Sequence, residues 1–355
     1  MSITAGSALS SEFANDPADP KIELHVHLEG AIRPDTLFAL ARKNKFELPV
    51  NSLEELERFY EFTDFHHFID VWNVTTDVVT DADDFRRIVV EYAREAAGFG
   101  AVYLEAIVSP GQYYVRGISG DALYSGFTEG VAQALDETGV VVRLTPDIDR
   151  NRPLELSRQI IDDAIPFLDR GIIGIGLGGR ERANPTVHFQ ELFQHARDNG
   201  FAAVPHAGED DGAKSVQESI ELLGAHRIRH GFRAIEDPDL LQEIIERDIV
   251  LDVCPTSNLR TRVVDDWKEH PYARLLEAGV RMTVNTDDPA MFGTDLGREH
   301  ELAYSVGASP EQLFTAGIHG HAGGPEIDAW LRTLHTARWG STSTPADEYS
   351  IGASR

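Results

Sequence analysis

The chain has 355 residues, 42% of them hydrophobic, enough to bury a large α/β core as one domain or two. Its formal net charge of -27 excludes the lysine- and arginine-driven attraction to phosphate on which nucleic-acid and anionic-membrane binding rest. A single cysteine, Cys254, excludes an intrachain disulfide and any Cys-x-x-Cys metal site, so His, Asp and Glu must hold a metal if one is present. Residues 1–20 are small, polar and acidic, without a basic n-region or an apolar h-region, and read as a disordered lead-in. Residues 339–355, rich in Ser, Thr, Gly and Ala, read as a flexible tail, and residues 21–338 as one barrel between them. No unbroken apolar run approaches a membrane span, so a cytoplasmic protein is expected.

Eight short runs rich in β-branched residues recur along residues 21–338: Ile22–His27, Ala101–Val108, Val140–Pro146, Ile172–Leu177, Ala202–His206, Arg227–His230, Ile249–Cys254 and Arg281–Thr286. Helical spacing separates them, as in Phe85, Ile88, Val89, Tyr92 and Ala93 before the second run, or Leu240, Leu241, Ile244 and Ile245 before the seventh. Strands alternating with helices imply parallel β/α units, and eight of them at this length predict a closed (β/α)8 barrel of the TIM type. An open doubly wound sheet is disfavoured because no Gly-x-Gly-x-x-Gly turn follows the first run. The stretch Leu53–Thr80 exceeds what one barrel helix needs and is dense in aromatics from Phe59 to Trp72, which predicts inserted helices roofing the barrel mouth. His66 and His67 lie in that insertion, but neighbouring helical positions point apart and do not share one ion, so both are expected to be structural.

Active sites of such barrels lie at the carboxyl ends of the strands, and reactive residue types accumulate there. In K-I-E-L-H-V-H-L-E-G, strand alternation sends His25 and His27 to one face, where two imidazoles grip one metal ion. The fifth run ends in P-H-A-G-E with His206 and Glu209, the sixth in R-H-G with His230, and the eighth in N-T-D-D-P with Asp287 and Asp288. Three imidazoles and a carboxylate suit Zn2+ or a similar divalent ion, which assigns His25, His27, His206 and Asp287 as ligands. Two-metal hydrolases of this architecture commonly use a lysine at the end of strand four. Here that end reads G-I-G-L-G-G-R-E, so one Zn2+ per chain is expected. Glu209 is placed to hand a proton to the substrate, and His230 and Asp288 to accept the water proton or hold the water in line.

At these residues the chain resembles the adenosine deaminase family of the amidohydrolase superfamily. The match runs through H-V-H-L-E-G-A, G-L-G-G-R-E, H-A-G-E, H-G, C-P-T-S-N and N-T-D-D-P, in order and across nearly the whole barrel. The resemblance implies hydrolytic removal of the 6-amino group of a purine as ammonia. Metal-activated water adds to C6, Glu209 protonates N1, His230 with Asp288 orients and deprotonates the water, and the Gly179 N–H meets ring N3. It further implies a small 6-aminopurine partner rather than nucleic acid or membrane. Departures bear on the substrate. Glu29 stands where adenosine-specific members carry Asp, as in adenine-specific relatives, while Gly178 to Glu181 is closer to the adenosine pattern and Arg229 fits neither. Adenosine, adenine and a larger nucleoside such as aminodeoxyfutalosine therefore stay open. An amide- or ester-cleaving hydrolase with the same metal and a silent purine-binding barrel are the competing functions; the strand 4 and strand 6 features and Glu209 argue against the first, and the intact ligand and acid set against the second.

Overall fold

The computed structural model describes residues 19–340, so all of the expected lead-in before Asp19, and the expected tail after Gly340, lie outside the described residues. Trp339 ends a helix, Pro325–Trp339, one residue beyond the expected limit of the barrel.

The β-branched runs form parallel strands because each is buried on both faces and finds its pairing partner one helix later. They are β1 (Lys21–His27), β2 (Ala101–Val108), β3 (Val141–Asp149), β4 (Gly174–Gly178), β5 (Ala202–Ala203), β6 (His206–Ala207), β7 (Arg227–His230), β8 (Val250–Val253) and β9 (Met282–Val284). Pairing follows chain order within β1 to β5 and within β6 to β9. β5 and β6 are the two ends of the fifth expected strand, interrupted at Val204 and Pro205, where proline has no N–H to give to a ladder. Pairing carries across the break, since the Val204 N–H donates to Ile175 O at 3.0 Å and the Arg229 N–H to Pro205 O at 2.9 Å. The last gap is closed by the His27 N–H to Asp287 O at 2.7 Å and the Asp287 N–H to His25 O at 3.1 Å. The barrel is closed, as expected, and three of its candidate metal residues, His25, His27 and Asp287, lie in the closing hydrogen bonds.

Strand limits differ from expectation where partners decide them. β3 runs on to Asp149 because Asp147, Ile148 and Asp149 pair with Gly176, Leu177 and Gly178. The last strand shortens to Met282–Val284, where its pairing with β8 ends.

The insertion between β1 and β2 is helical, as expected. It follows α1 (Pro34–Asn44) and consists of α2 (Leu53–Phe59) and α3 (Phe65–Thr76), each capped by a side chain, Ser52 for α2 and Asp64 for α3. α4 (Ala82–Gly98) buries the stripe Phe85, Ile88, Val89, Tyr92 and Ala93 that the spacing indicated. After β2 come α5 (Pro110–Tyr114) and α6 (Gly120–Thr138). At the amino end of the barrel, Ile22, Leu24, Val102, Tyr103 and Val141 pack with Phe314, Ile318, Ile327, Trp330, Leu331 and Leu334 of the last two helices. Among the described residues that end is covered by these helices, and the carboxyl end of the strands faces a cavity. No helix among the described residues is long and apolar enough to cross a membrane.

Candidate active site

A cavity of about 400 Å³ opens at the carboxyl end and is lined by His27, Gly179, His206, Glu209, His230, Asp287 and Asp288 among others. His25 Nε2 and His27 Nε2 each lie 3.3 Å from Asp287 Oδ1, and His27 Nε2 lies 3.3 Å from His206 Nε2. Ligand atoms about 2.0–2.1 Å from a tetrahedral ion lie about 3.3 Å apart, so this donor set fits one such ion. His25 Nε2 is buried with no hydrogen-bond partner, an orphan that a metal satisfies. Burial, the largest influence, lowers His25 well below its usual value and His27 to about 4. Burial works against ionisation of Asp287 too, but the surrounding imidazoles outweigh it and hold the carboxyl well below its usual range. Neutral imidazoles beside an ionised carboxylate are the protonation states that metal ligation requires.

His230 and Asp287 both adopt left-handed backbone, at φ 60° and 64°. Such conformations cost non-glycine residues on the order of 1–3 kcal/mol, and they concentrate at functional sites. Here they turn two side chains inward at the ends of their strands. His230 Nε2 lies 3.4 Å from Glu209 Oε2 and 3.7 Å from Asp287 Oδ2. Burial, then the neighbouring Asp287 and Glu181 carboxylates, push Glu209 well above the ordinary carboxylate range and favour its protonated form. Asp288 is raised for the same reasons, burial first and Asp287 second, and accepts the Trp72 Nε1–H at 2.8 Å. That bond ties the α3 roof to the centre. Burial lowers His230 to about 3.

Gly179, at φ 91°, presents its main chain to the cavity, and a Cβ there would come within 2.6 Å of Asp149 Oδ1. Glycine is the residue this approach allows. Glu29 differs from expectation. It is not among the cavity-lining residues, because Oε1 accepts the Ser109 N–H at 2.8 Å and the Tyr113 hydroxyl at 3.2 Å and turns the carboxylate toward the start of α5. Its reach toward a substrate is therefore through Ser109 and the α5 residues that do line the cavity, Gly111 and Gln112. His66 is exposed, and His67 Nδ1 accepts the Thr63 N–H at 3.2 Å, so both stand apart from the metal cluster as expected. Phe65, Phe68 and Trp72 of the aromatic segment roof the cavity. Phe59 and Tyr60 pack in the core beside it.

The sequence reading gave no supporting role to four residues, Asp147, Arg229, Glu181 and Asn258. Asp147 places Oδ2 3.3 Å from His206 Nδ1, and its Oδ1 pairs with the fully buried Arg229, which also donates to Thr145 Oγ1 at 2.5 Å. A Cβ at Gly176 would collide with both partners, so this strand position must be glycine to admit the pair. Glu181 accepts the N–H groups of Gly208, Glu209 and Asp210 at 2.8–2.9 Å and the Ser215 hydroxyl, clamping the loop that carries Glu209. Asn258 stands 3.3 Å from His230 Nδ1 and 3.1 Å from His270 Nε2 and fixes the His230 ring. Glu181 and Asn258 lie within the matched motifs. Asp147 had no signal other than its position near the end of a strand.

A family model described as adenosine deaminase matches residues 20–320. The aminodeoxyfutalosine deaminase of Acidothermus cellulolyticus is 46% identical over 334 residues, 92% of this chain and 94% of the relative. The crystal structure of adenine deaminase from Arthrobacter aurescens superposes with a TM-score of 0.85 at 32% identity, covering 90% of this chain and 98% of that one. An amidohydrolase from Burkholderia ambifaria, solved with bound Zn, superposes with a TM-score of 0.82 at 28% identity and 95% coverage of both chains.

Proposed function

The chain belongs to the adenosine deaminase family, and from that premise we propose that residues 21–338 form a deaminase barrel that hydrolyses a 6-aminopurine to its 6-oxo product and ammonia. The observation that carries the proposal is the convergence, at one cavity, of a donor set of tetrahedral dimensions with the buried Glu209 carboxyl, which lies 3.4 Å from His230 Nε2. His25, His27, His206 and Asp287 would hold one Zn2+, whose chemistry when bound is to make water nucleophilic near neutral pH. Glu209 donates its proton to ring N1, drawing electrons from C6 as the bond to water forms. His230 and Asp288 hold the water in line and take up its proton, which then serves the departing ammonia. The Gly179 N–H binds N3, and Glu29 shapes the cavity wall through α5. The roof carrying Trp72 excludes bulk water, which strengthens each of these interactions.

Adenosine and adenine are the simplest substrates. The relative from Acidothermus favours a larger nucleoside, aminodeoxyfutalosine, as the second reading. Ammonia release from adenine, adenosine, deoxyadenosine and aminodeoxyfutalosine tests the proposal. Turnover of at least one, yielding the 6-oxo product, is expected. Metal-loaded protein inert toward all four would defeat it.

A further inference from the structure

The rim of the cavity holds polar groups that deamination does not use. Arg152 Nη2, on the turn after β3, donates to Gln112 Oε1 at 2.7 Å, and Gln112 Nε2 donates to Asn73 Oδ1 at 2.7 Å. Asn73 is fixed in turn by its own donation to Ile69 O at 2.8 Å. This relay joins the barrel, α5 and the α3 roof into one polar wall, with Asn151 and Arg180 beside it. Arg152 and Arg180 are the two cations among the lining residues. Each meets a carboxylate only at long range, Arg152 Nε at 3.5 Å from Asp149 and Arg180 Nη2 at 3.6 Å from Asp70.

The direction in which a substrate grows follows from ring chemistry. Purine N3 and N9 are both bonded to C4, so a ring whose N3 meets Gly179 turns N9 toward the same wall. The main chain at Gly179 lies against that wall, since a Cβ there would stand 2.6 Å from Asp149 Oδ1 and 2.8 Å from Asn151 Nδ2. Free adenine would leave the wall untouched. The 400 Å³ available falls within the range of about 300–1,000 Å³ typical of sites for drug-sized ligands.

We propose that this wall is a subsite for the N9 substituent of the substrate, and that Arg152 with Arg180 binds an acid group, carboxylate or phosphate, at its far end. The inference rests on the 6-aminopurine reading and deepens it from a base to an acid-bearing nucleoside. Asn73, Gln112 and Asn151 supply amides suited to sugar hydroxyls, and guanidinium groups match both acids in a bidentate fork. In a chain of net charge -27, whose cavity also carries Asp70, Asp149 and Asp287, these two guanidinium groups are the cationic side chains of the lining and so the places on this wall that attract an anion.

The test compares wild type, Arg152→Gln and Arg180→Gln. Ammonia release gives kcat/KM for adenine, adenosine, adenosine 5′-monophosphate and an adenosine bearing a 5′-linked carboxylate, and calorimetry gives the affinity of the corresponding 6-oxo products. Wild type is expected to favour at least one acid-bearing nucleoside over adenosine and adenine. Each variant is expected to lower the acid-to-adenosine ratio about tenfold or more, as the loss of a charge-assisted hydrogen bond implies. The two acid arms show which group is bound. A wild-type ratio at or below one for both acids, or an equal loss on adenosine and acid substrates in both variants, would overturn the subsite. Arginine-dependent binding of an acid-bearing product by a protein that deaminates nothing would uphold the subsite and defeat the deaminase reading. Absence of both binding and turnover would defeat the two together.

Discussion

The residues that face the reaction are supported by residues that do not, and the two kinds should fail differently. Burial and the Asp287 and Glu181 carboxylates raise Glu209 above the ordinary carboxylate range, which suits it to donate a proton. Glu209→Gln nearly preserves size and removes the proton, so turnover should fall about 10²- to 10⁴-fold with metal content unchanged. A variant that keeps more than half of wild-type turnover at saturating substrate would show that Glu209 is not the acid. Asp147 acts one step away, with Oδ2 3.3 Å from His206 Nδ1 and Arg229 holding its other oxygen. Carboxylates behind metal-bound histidines fix ring orientation, and losing one typically weakens metal affinity about 10- to 100-fold. Asp147→Asn should therefore release metal to a chelator at correspondingly lower chelator concentration, while the circular dichroism of the folded protein is retained. Unaltered metal affinity would reduce Asp147 to a packing partner of Arg229.

At the scale of elements, loops and short helices carry the site, and buried carboxylates hold them in place. Glu299, on the helix Leu296–Ser305, accepts the Thr256 N–H at 3.1 Å at the start of Pro255–Arg260, the short helix that contains Asn258, and also the Thr294 hydroxyl. Burial, its largest influence, raises Glu299 from 4.5 to about 7. A raised folded value means that the folded state keeps a proton that the unfolded chain has lost between these two pH values. Stability therefore declines as pH rises from 4.5 through about 7 and levels above it, by about 3 kcal/mol at most. Glu299→Gln removes this titration, so its melting temperature should fall less steeply than that of wild type between pH 5 and 7.5. Parallel profiles for the two proteins would show that Glu299 does not titrate in that window. The α3 roof is tethered in a comparable way, by the Trp72 indole on Asp288 and by Phe68 packed against Phe292, with ring centroids 5.0 Å apart.

For the whole molecule, the candidate metal site is also the seam of the barrel. His25, His27 and Asp287 exchange main-chain hydrogen bonds that close β1 onto the last strand, and their side chains meet across that seam. An ion bound there should stabilise the closed barrel, because ligands that bind only the folded state add about 2.7 kcal/mol at a hundredfold excess over Kd. Exhaustive chelation should remove about one divalent metal per chain, lower the melting temperature by several degrees and abolish turnover, and Zn2+ should restore both. Two metals per chain, or full activity without any, would defeat the mononuclear assignment.

Periodicity by itself determined the eight-strand barrel and the buried stripe of α4, because parallel strands and amphipathic helices leave local patterns that need no knowledge of their partners. Strand-end position and residue type then determined the candidate set His25, His27, His206, Glu209, His230, Asp287 and Asp288, since the fold places the carboxyl end of every strand at one mouth. Only the tertiary structure decided what depends on distant pairing. It split the fifth strand at Pro205 and extended β3 to Asp149. It turned Glu29 away from the cavity to Ser109, 80 residues along the chain. It also joined Arg229 to Asp147 across 82 residues, giving a role to an arginine that matched no sequence pattern. A buried charge is settled by whichever partner the closed barrel brings within hydrogen-bond reach, and that choice is made by packing between strands rather than by spacing along them.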